Sequence, residues 1–392
     1  MNSGDGRGAR TQQTTAPTPV TTPRVYDNDG SLRALTRDFG AAWVAGIAMV
    51  VAMVLIAAIE NLPIRDPDNL IPGYIRFPGI VLLAVLADIV PRVLWRARRT
   101  PWRPSALVGR WREVVTERWP ASHLKFVLAG ISAWYLCYAT FRNLKSMAPF
   151  VNGHLWDIDM ARLDRFLWLG REPAEVLHDL FGTGIAAHFF SGVYMVWIGL
   201  VPITIAIALT WTRHTRAGAW YVTAVAFDWM LGAALYLLLP SVGPIYSDPE
   251  MFASLPTTSV TTLAESMLAE RQAVVGDPWG SGSMQTIAAF ASLHVGIMVT
   301  ICLMVEYVGL SKLIRVCAWV FLALTVLATI YLGWHFFVDT IAGAALGSFT
   351  VWAAAMATGN HVGLRPRLRR GDGDEAQSPE VTAAAGPSAR PR

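Results

Sequence analysis

Long apolar stretches separated by short polar segments dominate the chain, with no strand-like alternation. A helix needs roughly 20 mostly apolar residues to cross the hydrocarbon core of a bilayer. Eight stretches approach that length: 41–60, 78–95, 123–141, 185–211, 219–240, 288–309, 312–332 and 335–358. The pattern predicts an all-α integral membrane protein with about eight transmembrane helices. An even number brings both termini to one side.

Basic residues assign the sides. Arg96, Arg98, Arg99, Arg103, Arg110, Arg112 and Arg118, then Arg213 and Arg216, Lys312 and Arg315, and Arg365, Arg367, Arg369 and Arg370 all fall in connections on the side of the termini. The positive-inside rule makes that side cytoplasmic. The opposite side receives Glu60, Asp66 and Asp68, and a long connection, 241–286, whose one base is Arg271. The stretch from Arg142 to Gly184 runs against the rule with Arg142, Lys145, Arg162, Arg165 and Arg171, and long segments escape it. Met160, Leu163, Phe166, Leu167 and Leu169 form a rough helical stripe there, predicting a helix in the outer interface. Gly170 and Pro173 mark a break before a second short helix toward Phe181.

Composition excludes other classes. With 54% hydrophobic and 15% charged residues and a mean hydropathy of +0.41, the chain is too apolar for a soluble protein. The net charge of +4 resides in the Arg clusters beside the spans, so it calls for no nucleic acid. The sixteen Trp fit interfacial belts. Cys137, Cys302 and Cys317 all lie in apolar runs, which suggests neither a disulfide framework nor a Cys-based metal site. The polar ends, 1–37 and 359–392, read as disordered.

Two histidines stand where spans begin on the outer side, His294 in AFASLHVGIM and His335 in YLGWHFFVDTIAG. Asp339, four residues on from His335, shares its helical face and can bond one imidazole nitrogen, leaving the other free to attack. Ser292 can cap its helix, aiming backbone donors at an anion. Arg142 and Lys145, in FRNLKSMAP at the outer end of the third stretch, supply cations of the kind a phosphoryl group needs. Asn143, His188, Tyr194, Tyr246 and Arg271 are candidates to line the cavity, and Pro240, Gly243 and Pro244 to shape its mouth. Bland readings stand beside these: His335 with Asp339 as a structural hydrogen bond or half of a metal site, although no further ligand set completes one, and Arg142 and Lys145 as snorkelling anchors.

These residues resemble the motifs of the type 2 phosphatidic acid phosphatase superfamily: K-x6-RP, PSGH and SR-x5-H-x3-D on a six-helix core. ASLH stands for the second motif, with Ala291 and Leu293 in place of Pro and Gly. His335 and Asp339 give the third, with Thr329 where its Arg belongs. RNLKSMAP is a loose form of the first, with Arg142 where the lysine would be. The SLH form, the spacing to YLGWHFFVD and LPSVGPIY look most like the inositol phosphorylceramide synthase branch. The resemblance implies 123–358 as the six-helix core, with outer interfacial helices (150–184) and an outer loop (241–286), and 38–122 as two extra spans with a basic loop. It further implies a metal-free, cofactor-free enzyme acting on a lipid phosphate or phospholipid at the outer face. His335 is then the nucleophile that forms a phosphohistidine, Asp339 its orienter, His294 the acid and base, and Arg142, Lys145 and Ser292 the phosphate ligands.

Two other classes compete. Asp88 and Asp228, inside predicted spans, suit a transporter path, although no repeated half accompanies them; each can also pair within the bundle. Asp157, Asp159 and Asp164 suit a glycosyltransferase or, equally, a solvated interfacial face.

Overall fold

The computed structural model describes residues 30–67, 73–98, 104–211 and 214–368. The polar lead through residue 29, Asp68, Arg99, Arg103, Arg213 and the tail from Arg369 lie outside the described residues. Thirteen α-helices occur among the described residues: α1 (Leu32–Ile59), α2 (Gly73–Ala97), α3 (Pro104–Arg118), α4 (Ala121–Val151), α5 (Asp157–Leu167), α6 (Pro173–Phe181), α7 (Ile185–Thr210), α8 (Thr215–Leu238), α9 (Pro244–Ser247), α10 (Ser259–Gly276), α11 (Leu293–Val308), α12 (Lys312–Tyr331) and α13 (Phe337–Ala357). A two-residue hairpin, β1 (His361–Val362) with β2 (Arg365–Pro366), follows.

Seven of these helices, α1, α2, α4, α7, α8, α12 and α13, are long and apolar enough to cross a membrane, in line with an all-α membrane protein. The stretch predicted at 288–309 differs. Ser292 has extended backbone and its hydroxyl accepts from the Val295 amide, so the apolar residues before it are diverted from the helix. The remaining 16 residues of α11 reach only about 24 Å at 1.5 Å per residue, short of a full hydrocarbon thickness. Hydropathy cannot see such a cap.

Other boundaries shift for similar reasons. Ser31 caps α1, so helix begins inside the segment expected to be disordered, and the β-hairpin occupies the start of the expected tail. The connection 241–286 is largely built structure, containing α9, a 3-10 turn at Pro249–Phe252 and α10, which Thr258 and Thr261 start with a capping box. The break expected at Gly170 and Pro173 separates α5 from α6.

Helix α8 is central, touching α1, α4, α7, α11 and α13. Its Asp228 is fully buried and accepts hydroxyl bonds from Thr300 at 2.9 Å and Thr350 at 2.6 Å. Asp88 on α2 takes Arg118 at 3.0 Å, Arg92, and the Trp119 indole at 3.1 Å. Both intramembrane carboxylates are thus bound within the bundle, as the pairing expectation had it.

Helices α11 and α13 approach backbone to backbone, and glycine makes this possible. A Cβ on Gly343 would lie on the carbonyl oxygen of Ser292, and one on Gly347 on that of Gly296. Both obstacles are backbone and cannot rotate away. Gly347→Ala is therefore expected to cost about 1–3 kcal/mol through overpacking and to lower the thermal midpoint in detergent. Gly192→Ala, which meets nothing within 4 Å, serves as the control that leaves the midpoint in place.

Candidate active site

His294 lies in the first turn of α11, immediately after Leu293, and His335 in the short connection between α12 and α13. That connection is held from behind: the Thr329 carbonyl accepts from the amides of Trp334 at 2.9 Å and His335 at 3.2 Å. Thr329 is thus a backbone anchor for the loop that carries the histidine. The start of α11 is tied to the start of α13 by the Ser292 amide donating to the Asp339 carbonyl at 3.0 Å.

The two imidazoles meet edge to face with ring centres 5.0 Å apart, and His294 Nδ1 is 2.8 Å from His335 Nε2. His335 Nδ1 faces Asp339 Oδ2 at 3.4 Å, and the Phe336 amide donates to the same oxygen at 3.0 Å. On the other side Tyr194 Oη is 3.1 Å from His294 Nε2. One set of tautomers satisfies all three contacts: Tyr194 donates to His294, His294 Nδ1–H to His335 Nε2, and His335 Nδ1–H to Asp339. The nitrogen of His335 that faces the cavity then carries its lone pair. Burial, and then the charge of Lys145, push the His335 imidazole down to about 3, against the opposing pull of the Ala289 carbonyl, so the ring is neutral at ordinary pH.

The histidines open into a cavity of about 1200 Å³, its mouth included, between α4, α7, α8, α10 and α11. Arg142 and Lys145 line it, with Tyr194, Tyr246, Trp197, Trp229, Tyr236 and Glu270. The Lys145 ammonium sits 5.0 Å from the centre of the Tyr236 ring, a cation–π distance. Arg142 donates to the Pro67 carbonyl at 3.2 Å, and its Nε is buried without a partner. Among the described residues neither cation has a carboxylate partner.

Four candidates depart from the expected arrangement. Ser292 is fully buried as the α11 cap and is absent from the cavity wall. Asn143 is turned away, exchanging hydrogen bonds of 2.9 Å with both backbone groups of Arg65. His188 is exposed on α7. Arg271 lines two neighbouring spaces instead, donating to Gln285 at 3.3 Å. Tyr246 does line the cavity, but its hydroxyl is committed to the Ala264 carbonyl at 3.1 Å. Tyr194 is held as expected, and it stacks on Trp334 at 5.1 Å.

The site also depends on two carboxylates whose sequence context suits a glycosyl-transfer site or a solvated face equally well. Asp157 and Asp164, both on α5, are buried rather than solvated. Asp157 accepts from the Ser241 hydroxyl at 3.0 Å and from the Val242 and Gly243 amides at 3.1 and 2.8 Å. Asp164 accepts from the amides of Phe337 at 2.6 Å and Val338 at 2.9 Å, at the start of α13. Asp159 stays outside, paired with Arg162. Their seven-residue spacing, two turns of one face, was the available signal.

With this geometry in place, comparison with known proteins adds one finding. The PAP2 superfamily pattern matches residues 158–354, half of the chain. The chain belongs to the PAP2 superfamily. No curated protein and no solved structure matches it. The PAP2 match takes in both histidines, Asp339 and Asp164, while Asp157 and, on α4, Arg142 and Lys145 precede it. Membership of the PAP2 superfamily supports phosphatase or phosphotransferase chemistry in general terms, on a membrane-embedded helical protein.

Asp164 gives a measurable consequence. Burial raises its carboxyl from 3.8 to about 6 against the lowering effect of the Phe337 and Val338 amides. The folded state therefore holds this proton more tightly than the unfolded state, and stability falls as pH rises from about 4 through about 6, then levels off. At 1.36 kcal/mol per pKa unit the span is roughly 3 kcal/mol. Asp164→Asn lacks this titration, so the stability difference between variant and wild type should move in favour of Asn by up to that amount between pH 4 and 7. Thermal midpoints in detergent across that range check it; parallel profiles for the two proteins would refute the assignment.

Proposed function

We propose that the protein is a metal-independent lipid-phosphate phosphotransferase or phosphatase that works through a phosphohistidine on His335. The observation that carries this reading is the His294–His335 contact at 2.8 Å, with Asp339 behind it and two cations without carboxylate partners in the same cavity. A phosphoryl group entering between the imidazoles replaces their mutual hydrogen bond. The His335 Nε2 lone pair attacks phosphorus, the bond to the leaving oxygen breaks, and the proton on Nδ1 stays directed at Asp339, which stabilises the cationic ring. The negative field of the bound phosphate favours the protonated form of His294, which gives a proton to the leaving oxygen and later takes one from the acceptor. Arg142 and Lys145 hold the non-bridging oxygens in a largely dehydrated space.

The aromatic and aliphatic walls, including Phe141, Trp197, Ile198 and Ile297, suit an acyl chain. Water as acceptor gives a phosphatase and an alcohol gives a transferase. The SLH motif and YLGWHFFVD spacing favour transfer of a phospho-head group, in the manner of the inositol phosphorylceramide synthase branch. The basic connections favour an extracytoplasmic site with cytoplasmic termini.

The test is phosphate release and lipid-product formation by purified protein in EDTA, over a panel of lipid phosphates with and without phosphatidylinositol. Wild type should turn over, and His335→Ala should lose at least about 1000-fold in kcat/KM, as loss of a covalent nucleophile does. Free phosphate identifies hydrolysis, and a new head-group lipid without free phosphate identifies transfer. Full activity in His335→Ala, or silence of the wild type until divalent metal is added, would sink the mechanism.

A further inference from the structure

We propose that Tyr194 is the positioning residue of the acid–base histidine: its hydroxyl holds Nε2 of His294 in both protonation states of the ring, so that proton transfer runs through Nδ1. The inference rests on the phosphohistidine reading of the site. It adds the group that decides which nitrogen of His294 works.

Helix α7 grips His294 at two points about one turn apart. The Trp197 indole donates to the His294 carbonyl at 3.1 Å, and its ring centre lies 4.2 Å from that of the imidazole. Tyr194, three residues earlier and so on the same face of α7, places its hydroxyl 3.1 Å from His294 Nε2. Tyr194 is buried and is fixed in turn by Trp334, the residue before His335, on which it stacks at 5.1 Å with 6° between the ring planes. The loop that carries His335 therefore also steadies the ring that orients His294. With Nε2 held by Tyr194, Nδ1 is the nitrogen that meets His335 Nε2, at 2.8 Å.

The Tyr194 hydroxyl is free to turn. Tyr246 and Tyr331 nearby donate to the carbonyls of Ala264 at 3.1 Å and Gly182 at 2.7 Å, whereas Tyr194 Oη bonds only His294 Nε2 among the described residues. A hydroxyl can donate or accept. In the resting chain Asp339 keeps the His335 proton on Nδ1, His335 Nε2 takes the His294 Nδ1 proton as its donor, and Tyr194 donates to the lone pair left on His294 Nε2. When a phosphoryl group displaces the bond between the imidazoles, His294 takes one proton from water onto Nε2, and Tyr194 turns to accept from it. As His335 Nε2 bonds to phosphorus and the bond to the leaving oxygen breaks, the Nδ1 proton of His294 passes to that oxygen. The neutral ring that remains keeps its Nε2 proton on Tyr194. The acceptor then gives a proton to Nδ1 as its oxygen attacks phosphorus and the N–P bond breaks. Without the hydroxyl the imidazolium loses its partner at Nε2, although a phenyl ring still stacks on Trp334.

Two measurements on full-length protein in detergent test this. The first needs no turnover: nitrogen NMR of protein labelled at its histidine rings, with His294 assigned by its loss in His294→Ala, should show the resting His294 protonated on Nδ1 and bare on Nε2. A proton on Nε2 overturns the proposal. The second compares leaving groups in wild type and Tyr194→Phe at matched thermal midpoints. The probes are dioctanoyl phosphatidic acid against p-nitrophenyl phosphate, and dioctanoyl phosphatidylinositol against p-nitrophenyl phosphoinositol. An alkoxide needs the proton of His294 to leave, whereas a nitrophenolate leaves without one. Tyr194→Phe should therefore lower kcat on the lipids about 10- to 100-fold with little change in KM, the factor carried by a hydrogen bond to a charged group. The burst of nitrophenolate should fall at least about tenfold less. Equal losses on lipid and nitrophenyl ester, or a loss confined to KM, overturn the proposal in favour of a packing role for Tyr194. Nitrophenolate bursts that persist in His335→Ala, or a wild type silent on all four probes, refute the phosphohistidine reading instead, and the NMR result still decides how Tyr194 sets the His294 proton.

Discussion

Buried backbone N–H groups at the starts of chain segments need acceptors, and the site is organised around meeting that need with two carboxylates from one short helix. Asp157 and Asp164 lie seven residues apart, so they face the same way from α5. One gathers the amides of Val242 and Gly243, the other those of Phe337 and Val338. These bonds fix the wall that carries Val242 and the entry to α13, directly beside His335. An unmet amide in so dry a place costs about 1–3 kcal/mol, and a moving loop would carry His335 with it. The Thr329 carbonyl performs the complementary task from the end of α12, accepting from Trp334 and His335.

What the sequence made legible divides along physical lines. Spans are compositional, so hydropathy finds seven of them with small boundary errors. It overextends α11, because a single serine hydroxyl decides where that helix starts. The meeting of His294, His335, Arg142 and Lys145 follows from the number of crossings, which brings the end of α4 and the starts of α11 and α13 to one end of the bundle. Rotation about a helix axis is a finer matter. At 100° per residue, Lys145 returns to the face of Arg142, whereas Asn143 beside it points to Arg65. Six residues separate His188 from Tyr194, which puts them on different sides of α7, and the structure leaves one exposed and the other against His294. The α5 carboxylates were hidden for another reason: an acidic stripe that caps buried amides has the same spelling as one that faces water.

The two carboxylates deep in the bundle are engaged, and this contrast bears on function. Asp228 has two threonine hydroxyls and Asp88 has two arginines and an indole. A carboxylate so engaged serves packing, and it offers little to a solute passing through. Asp157 and Asp164, once eligible as glycosyl-transfer acids, are likewise committed to backbone. The cations at the histidine end break this rule. Lys145 makes do with an aromatic face, and Arg142 with one carbonyl and a bare Nε.

A positive charge held in a cavity without a counter-ion is costly to the folded protein, and two of them within one helical turn repel each other as well. Packing gains nothing from that arrangement, since an apolar side chain of similar size would fill the same wall at lower cost. The charges make sense if the partner is supplied from outside and departs after each cycle. The proposed phosphoryl group would do this: it would bring the negative charge that Arg142 and Lys145 lack, and would insert between two imidazoles that otherwise bond each other. The same reasoning separates these residues from snorkelling anchors, whose charged ends reach water or lipid head groups, whereas these two line the cavity wall that also carries His294 and His335.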